Sequence, residues 1–317
     1  MKPILLLLDD WEGYVQKSRC WERLKDKVEM WFSTEPIETI SDDKLRNVDF
    51  LFALRERTRL DETLFARMPH LKLILQSGGH NYHIDGAAAA KRNIRILSGR
   101  EAKMPCVSVP ELTFAFILGL SHRIYEADRM MRNGNWKSIT GRTLAGKRLG
   151  ILGMGRHGSK VAEIARLAFG MEVVSWCRTG IADDTSMIKK LSLDELLATS
   201  DVVSIHLKLS SESAGLINAE KLALMKQDAL LINTARGAIV DEPSLIDCLQ
   251  RSRIAGAGLD VFLKEPLAAD SPLRKFDNVV LTPHIGWTVK EVFEEFAEIA
   301  CSQLLDYLRV ALNQQGS

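Results

Sequence analysis

The sequence lacks an excess of charge of either sign. Its 317 residues include 42 Lys and Arg against 41 Asp and Glu, which gives a formal net charge of +1. No long run of like charges occurs along the chain. Proteins that bind nucleic acid or anionic membranes electrostatically carry basic patches or runs. The composition therefore predicts neither nucleic acid nor a membrane surface as a partner.

Long apolar runs are also missing. The run Ile4–Leu8 stops at Asp9 and Asp10. It is far too short for a bilayer, which needs about 20 apolar residues in a helix. It also lacks the cleavage region of a signal peptide. Such a run is typical of a buried strand that ends in a loop.

Paired cysteines are absent as well. The five cysteines are odd in number, are dispersed and form no C-x-x-C pair; they are Cys20, Cys106, Cys177, Cys248 and Cys301. This pattern argues against a disulfide framework and against a zinc cluster. It favours a reducing compartment, and we expect a cytoplasmic protein.

What the chain does contain is an alternation of predicted strands and helices. Strands separated by helices predict parallel sheets, because parallel neighbours need long crossover connections. A chain of 317 residues is long for a single core, so we expect two domains. The predicted strands form two series, at 3–8, 48–53, 72–76 and 94–97, and at 148–152, 172–176, 202–207, 229–233, 255–260 and 278–281.

Two further segments have helical patterns that bear on the domains. Residues 108–132 predict one long helix with apolar residues around most of its circumference, such as Leu112, Phe116 and Leu120. A helix of this kind needs more burial than one domain face provides, and we interpret it as a spine between two domains. Residues 288–311 predict a terminal helix that folds back onto the first domain and makes that domain discontinuous.

A glycine-rich segment lies between the strand at 148–152 and a helical pattern at 157–169. Its pattern is Gly153-x-Gly155-x-x-Gly158. The first glycine permits a tight turn, the second lets the backbone approach a pyrophosphate, and the third allows close packing of strand and helix. The helix N-terminus offers free N–H groups to the phosphates. The segment therefore predicts a dinucleotide-binding turn.

The end of the next strand bears on the choice of cofactor. Cys177 stands where an NAD site usually has Asp or Glu, about 20 residues beyond the glycines, and Arg178 and Thr179 follow it. An uncharged residue does not repel a 2′-phosphate, and Arg178 can pair with that phosphate. Alternatively, Arg178 is a solvated loop residue that stacks on adenine. We expect NADP or NAD, with NADP favoured.

Three residues with complementary chemistry follow predicted strands in the last third of the chain. They are Arg236, Glu265 and His284. Each alone has a structural explanation, as a loop arginine, a surface acid and a core histidine. The carboxyl ends of parallel strands line the ligand crevice of an open sheet, so their loops are expected to converge. A cation, a carboxylate and an imidazole suit the reduction of a keto acid.

Together these segments resemble the D-isomer-specific 2-hydroxyacid dehydrogenase family over nearly the whole chain. The similarity lies in 149–158, 201–207, 231–241, 258–266 and 282–286. The resemblance implies an α/β fold of two Rossmann-like domains with parallel sheets. The cofactor domain, 100–287, would be doubly wound; the substrate domain, 1–99 with 288–317, would be flavodoxin-like and discontinuous. It also implies a homodimer made largely through the cofactor domain.

The resemblance assigns roles to single residues. His284, held as an imidazolium by Glu265, would protonate the substrate carbonyl, and Arg236 would bind the carboxylate or polarise the keto oxygen. Asp260 would contact the nicotinamide carboxamide. The cofactor-binding set is Gly153, Met154, Gly155, Arg156, His157, Gly158, Cys177, Arg178, Thr179, His206, Leu207, Thr234, Ala235, Asp260 and Gly286.

A loop of the first domain resembles the family's carboxylate-binding loop. The backbone N–H groups of Ser77, Gly78 and Gly79 would bind the substrate carboxylate, although His80 stands where the family commonly has another glycine. His80 and His83 alone do not make a metal site, because the other ligands are missing. We therefore expect no metal.

Three functions remain open within the resemblance. Glu265, rather than the glutamine of formate dehydrogenases, favours a 2-hydroxyacid dehydrogenase similar to glyoxylate/hydroxypyruvate reductases or phosphoglycerate dehydrogenases. A phosphite-oxidising relative would share the same three residues. A scaffold similar to the related corepressors, which binds partners in response to the cofactor, is the alternative outside enzymes.

Overall fold

The computed structural model describes residues 2–177 and 188–315. It divides into two compact units, Met1–Met104 with Thr288–Ser317 and Pro105–Trp287. The chain passes from the first unit to the second after Met104 and back after Trp287; the domain boundaries predicted from the sequence were residues 99 and 288.

The first unit is built on a parallel sheet of five strands in the order β2-β1-β3-β4-β5. This order is the flavodoxin-like one, as predicted. The strands are β1 (Ile4–Leu8), β2 (Glu29–Phe32), β3 (Val48–Ala53), β4 (Leu73–Gln76) and β5 (Arg95–Ser98). The helices are α1 (Asp42–Leu45), α2 (Glu62–Arg67), α3 (Gly86–Lys91) and α10 (Lys290–Gln315), the last being the predicted terminal helix.

The core of this unit lies around its central strands. Every residue of β1 is buried, as expected for a parallel sheet covered on both faces. Tyr307 of α10 meets Phe50 of β3 edge to face, with ring centroids 5.7 Å apart. Strand β2 was not predicted from the sequence, because this edge strand is half exposed and has no buried apolar run.

The second unit contains a parallel sheet of seven strands in the order β12-β11-β10-β9-β6-β7-β8. The order reverses beside β6, which gives the predicted doubly wound arrangement. The strands are β6 (Arg148–Leu152), β7 (Glu172–Trp176), β8 (Lys189–Lys190), β9 (Val202–Ile205), β10 (Leu230–Asn233), β11 (Gly256–Leu259) and β12 (Val279–Leu281). The helices are α4 (Pro105–Ser121), α5 (Ile124–Arg132), α6 (Arg156–Phe169), α7 (Leu193–Thr199), α8 (Ala219–Leu224) and α9 (Glu242–Gln250).

The prediction of one long helix over 108–132 was wrong. The helix α4 begins earlier, at Pro105, and ends at Ser121, and α5 follows as a separate helix. Arg123 between them has a left-handed backbone (φ 55°), which ends a right-handed helix. The two helices also differ in burial: Phe116 and Ile117 of α4 are fully buried, whereas α5 has no buried residue.

The described residues contain no single helix that is both long and apolar enough to cross a membrane. The helices α4 and α5 together pass such a test by length and composition, but they meet at an angle of 64°.

Candidate active site

The catalytic candidates follow three neighbouring strands of the second unit. Arg236 follows β10, Glu265 follows β11 and His284 follows β12, and these strands are adjacent in the sheet. Because all are parallel, their carboxyl ends meet at one edge. The fold thus brings together the loops that the sequence analysis expected to converge.

Glu265 and His284 form a hydrogen-bonded pair. The Nδ1 atom of His284 lies 2.7 Å from Oε2 of Glu265. The other carboxylate oxygen of Glu265 accepts from the Phe262 N–H at 3.0 Å. Burial by itself would raise the pKa of Glu265, but the bond to His284 and the charges of His284 and Arg236 hold it below its ordinary value. A charged carboxylate therefore faces Nδ1 at neutral pH and fixes the ring orientation.

Asp260 holds the loop that carries His284. Its carboxylate accepts from the Thr282 hydroxyl at 2.5 Å and from the N–H groups of Ile285 at 2.7 Å and Gly286 at 2.9 Å. His284, between these donors, has a left-handed backbone with φ 57°. Such a conformation is unfavourable for a residue other than glycine and persists only where its surroundings impose it. Asp260 thus contributes to the position of the imidazole.

Arg236 lies in a loop fixed by Asn233. The Asn233 side chain accepts from the Ala235 N–H and donates to the Arg236 carbonyl, both at 3.0 Å. A Cβ atom on Gly237 would stand 1.9 Å from the carbonyl carbon of Phe262. Only glycine permits this approach, and it brings the loop of Arg236 against the segment that leads to Glu265.

The glycine turn has the geometry that the sequence predicted. Gly153 has φ 99°, and a Cβ atom on Gly158 would lie 2.0 Å from the Gly153 carbonyl oxygen. Gly155 is the N-cap of α6 and supplies no side chain to its first N–H groups. A Cβ atom on Gly155 would meet nothing within 4 Å. The turn thus leaves open space at a helix N-terminus, which fits the pyrophosphate of a dinucleotide.

The other cofactor candidates lie at the carboxyl ends of strands, along the same edge of the sheet. Nε2 of His206 lies 2.8 Å from the Ser204 hydroxyl. Burial and the nearby His157 lower the pKa of His206 to about 3, so its ring is neutral at pH 7. Cys177 directly follows β7. Arg178 and Thr179 lie outside the described residues. Among the remaining members of the set, Arg156 is exposed, and Met154, Leu207 and Ala235 are partly exposed.

Three residues of this region were not singled out from the sequence. Thr282 and Gly237 support Asp260 and Arg236, and Thr113 of α4 lies 3.2 Å from Thr234, hydroxyl to hydroxyl. Thr282 and Gly237 stand inside the motifs themselves, so their position was a usable signal. No feature of the sequence pointed to Thr113, because its contact with Thr234 depends on how α4 packs against the sheet.

The predicted carboxylate-binding loop belongs to the first unit. Gly78 has φ 84°, and a Cβ atom there would lie 2.4 Å from the Arg55 guanidinium. The Ser77 hydroxyl accepts from the Arg55 N–H at 2.7 Å. His80, next to Gly79, stacks on Tyr82. The described residues contain no group of three His, Cys, Asp or Glu able to hold a metal ion.

Comparison with known proteins agrees with this geometry. Residues 114–286 match the model of the D-isomer specific 2-hydroxyacid dehydrogenase family, NAD binding domain. The chain is 37% identical to a glyoxylate reductase of Aeropyrum pernix over 88% of its length and 86% of the relative. It is 34% identical to a D-3-phosphoglycerate dehydrogenase of Mycobacterium leprae, over 91% of the chain but 54% of that protein.

A solved structure extends the likeness to the whole fold. The crystal structure of D-lactate dehydrogenase from Aquifex aeolicus, complexed with NAD and lactic acid, superimposes with a TM-score of 0.82 at 31% identity. The alignment covers 98% of this chain and 97% of that one. The chain therefore belongs to the D-isomer specific 2-hydroxyacid dehydrogenase family and is a nicotinamide-dependent oxidoreductase that acts on CH–OH donors.

Proposed function

We propose that the chain reduces a small 2-keto acid to the D-2-hydroxy acid, with His284 as the proton donor and NADPH favoured over NADH. The observation that carries this proposal is the 2.7 Å contact between His284 and Glu265, at the strand ends beside Arg236. A proton donor, an acid that stabilises its charged form and a fixed cation are the groups that this reduction requires.

Each group at the site has a separate chemical role. A bound nicotinamide supplies the hydride. His284 keeps its Nδ1 proton directed at Glu265, and its Nε2 atom is the one that gives a proton to the substrate oxygen. In the reverse direction the neutral ring takes that proton back. Arg236 binds the carboxylate or stabilises charge on the oxygen, since a guanidinium is suited to both.

The preference for NADPH rests on Cys177. The thiol puts no negative charge where a carboxylate would repel a 2′-phosphate. The variant Cys177→Asp is expected to lower kcat/KM with NADPH at least tenfold and to improve the relative use of NADH. Cys177→Ser, which adds no charge, is the matched control. Equal efficiency of the unmodified enzyme with both cofactors would contradict the preference.

The substrate carboxylate is assigned to the loop of Ser77, Gly78 and Gly79. The left-handed φ of Gly78 gives the loop a conformation that favours glycine. The family relatives include glyoxylate reductases, and we include glyoxylate and hydroxypyruvate among the candidate substrates, together with bulkier 2-keto acids.

We also propose a cytoplasmic homodimer formed through the second unit. In the single chain α5 buries none of its residues, and Trp136 just beyond it is 89% exposed. Large exposed apolar side chains close together are typical of interaction surfaces. Sedimentation that shows a stable monomer at micromolar concentration would contradict the dimer.

A substrate panel tests the main proposal. Glyoxylate, hydroxypyruvate, pyruvate and larger 2-keto acids are offered with NADPH and NADH, and D- and L-2-hydroxy acids with the oxidised cofactors. Turnover of 2-keto acids, and of D- but not L-2-hydroxy acids, is the expected result. Phosphite is also offered with the oxidised cofactors, and turnover of phosphite alone would identify the phosphite-type alternative. Cofactor binding without any turnover would favour the scaffold.

A further inference from the structure

Three contacts fasten the terminal helix α10 to the 3-10 helix Arg19–Arg23 and its N-cap residue Ser18 within the first unit. The Ser18 hydroxyl donates to Glu294 at 2.8 Å, and Arg23 pairs with Glu298. Positions 294, 298 and 301 are spaced four and three residues apart, so they lie on one face of α10. The third contact in this row joins Cys301 to Cys20.

The two cysteines are adjacent and buried, although 281 positions separate them in the sequence. The Cys301 thiol donates to the Cys20 carbonyl oxygen at 3.1 Å. The exposed fractions of Cys301 and Cys20 are 0% and 3%. The Nε atom of Arg23 donates to the same Cys20 carbonyl oxygen at 3.3 Å. No spacing pattern in the sequence predicted that these two cysteines would be adjacent.

Arg23 makes the two thiols unequal. The hydrogen bond from Cys20, together with the Arg23 guanidinium, lowers the pKa of Cys301 against the effect of its burial. The bond with Cys301 and burial raise the pKa of Cys20. Cys248, buried in the other unit, has its pKa raised by burial. Cys301 is thus the thiol of the pair that ionises first, and a thiolate is the nucleophile in disulfide exchange.

We propose that Cys301 and Cys20 form a reversible thiol–disulfide site that reacts with small-molecule disulfides. The Cys301 thiolate attacks one sulfur of the small disulfide, forms a mixed disulfide and releases one small thiolate. The Cys20 thiol then loses its proton to solvent, and its thiolate attacks the Cys301 sulfur and expels the second small thiolate. The chain is oxidised by two electrons and the small disulfide is reduced to two thiols.

Access to the buried sulfur is through Arg23. The Arg23 side chain is 44% exposed, and it contacts the Cys20 carbonyl oxygen to which the Cys301 thiol donates. The 3-10 helix that carries it is five residues long, and local opening of this segment would expose the Cys301 sulfur. The disulfide would add a covalent link between α10 and the N-terminal region in place of the hydrogen bond between Cys301 and Cys20.

The experiment uses the full-length, reduced enzyme and oxidised glutathione as the probe. Samples are quenched with N-ethylmaleimide, digested without reductant and analysed by mass spectrometry. A cross-linked peptide pair that contains Cys20 and Cys301 is expected, reversible by dithiothreitol. The melting temperature of the oxidised enzyme should rise by several degrees, because the bond closes a very long loop of the unfolded chain.

Four variants separate the steps. Cys20→Ser should retain glutathione on Cys301, Cys301→Ser should leave Cys20 unmodified, and Cys248→Ser should behave like the wild type. Arg23→Gln should slow the exchange severalfold without preventing it, because only the activating charge is lost. Melting of the reduced proteins shows whether each variant is folded.

Two results would overturn the site. One is a native, folded wild type whose Cys20 and Cys301 stay free after prolonged exposure to the disulfide. The other is reaction confined to Cys106 or Cys177, which are partly exposed. The wild-type peptide map decides both, even where a variant fails to fold.

Discussion

Two buried aspartates lie at the carboxyl ends of strands, one in each sheet, and their carboxylates accept different numbers of hydrogen bonds. Asp260 follows β11 in the second unit, and Asp9 follows β1 in the first. Each side chain is only 1% exposed. Burial raises the pKa of both carboxyl groups.

The hydrogen bonds around the two carboxylates differ. Asp260 accepts from one hydroxyl and two N–H groups, all in the loop of His284. Asp9 accepts from the Thr58 hydroxyl at 2.9 Å, and its Oδ2 atom has no donor among the described residues. Asp9 also has a left-handed backbone, with φ 67°.

Burial by itself therefore does not mark a functional carboxylate. The bonds of Asp260 impose a strained conformation on a catalytic candidate, so its buried charge has a structural use. Asp9 is buried to the same extent but accepts fewer hydrogen bonds, so less of the free-energy cost of burying its charge is offset. The pKa of Asp9 is accordingly raised to about 6, because a poorly solvated carboxylate is easier to protonate.

Replacement of His284 tests whether the loop held by Asp260 is the catalytic one, and it should reduce activity more than any other change. His284→Ala removes the proton donor and should lower kcat by about a thousandfold or more. Cofactor binding, measured by fluorescence titration with NADPH, should be nearly unchanged, because the imidazole acts on the substrate oxygen. The surface variant His70→Ala is the control. Loss of NADPH binding in His284→Ala would mean that the histidine has another role.

Replacing the partner of His284 should have a smaller effect. Glu265→Gln keeps a hydrogen-bond acceptor opposite Nδ1 but removes the negative charge that stabilises the imidazolium. We expect kcat for reduction to fall by about a hundredfold. Steady-state rates of reduction at pH 7 measure the loss. A kcat equal to that of the wild type would contradict the pairing.

Asp260→Asn tests the use of the buried charge directly. An amide keeps one acceptor oxygen, so its NH₂ group must face a donor that Asp260 now satisfies. We expect a loss of about 2 kcal/mol in the free energy of unfolding, with a clear fall in kcat as His284 loses its fixed position. Urea denaturation and steady-state rates measure the two effects. Unchanged kcat would show that the His284 loop holds its conformation without Asp260.

The sequence was enough to predict most strands of both sheets and the positions of Arg236, Glu265 and His284 beyond three of those strands. Buried parallel strands leave unbroken apolar runs, and glycine turns mark positions where the backbone geometry demands glycine. The edge strand β2 was missed because half of each edge strand faces solvent and its run is mixed. The break between α4 and α5 was missed because Arg123 gives no local sign of its left-handed backbone.

The supporting contacts of the site were harder to predict than its main residues. Asp260 was expected to contact the nicotinamide carboxamide, whereas its hold on Ile285 and Gly286 follows only from the loop conformation. The difference in hydrogen bonding between Asp9 and Asp260 could not be predicted from the sequence either, since both are aspartates that directly follow a buried strand.

The smallest effect, and the one of opposite sign, is expected at Asp9. Its folded pKa of about 6 lies above the ordinary value of 3.8, so the folded protein binds a proton that the unfolded chain releases. Stability is therefore greatest below about pH 4 with respect to this group, and falls by up to about 3 kcal/mol as pH rises through 6.

Asp9→Asn should remove that dependence. An amide carries no charge to desolvate, and asparagine tolerates the left-handed backbone well. At pH 8 the variant should gain about 1 kcal/mol in the free energy of unfolding, less than the full amount because Arg57 loses a nearby charge. Urea denaturation from pH 4 to pH 8, with Asp61→Asn at an exposed helix cap as the control, measures the gain. If Asp9→Asn destabilised the protein at pH 8 as Asp260→Asn is expected to do, both buried carboxylates would be stabilising and the contrast between the two sheets would disappear.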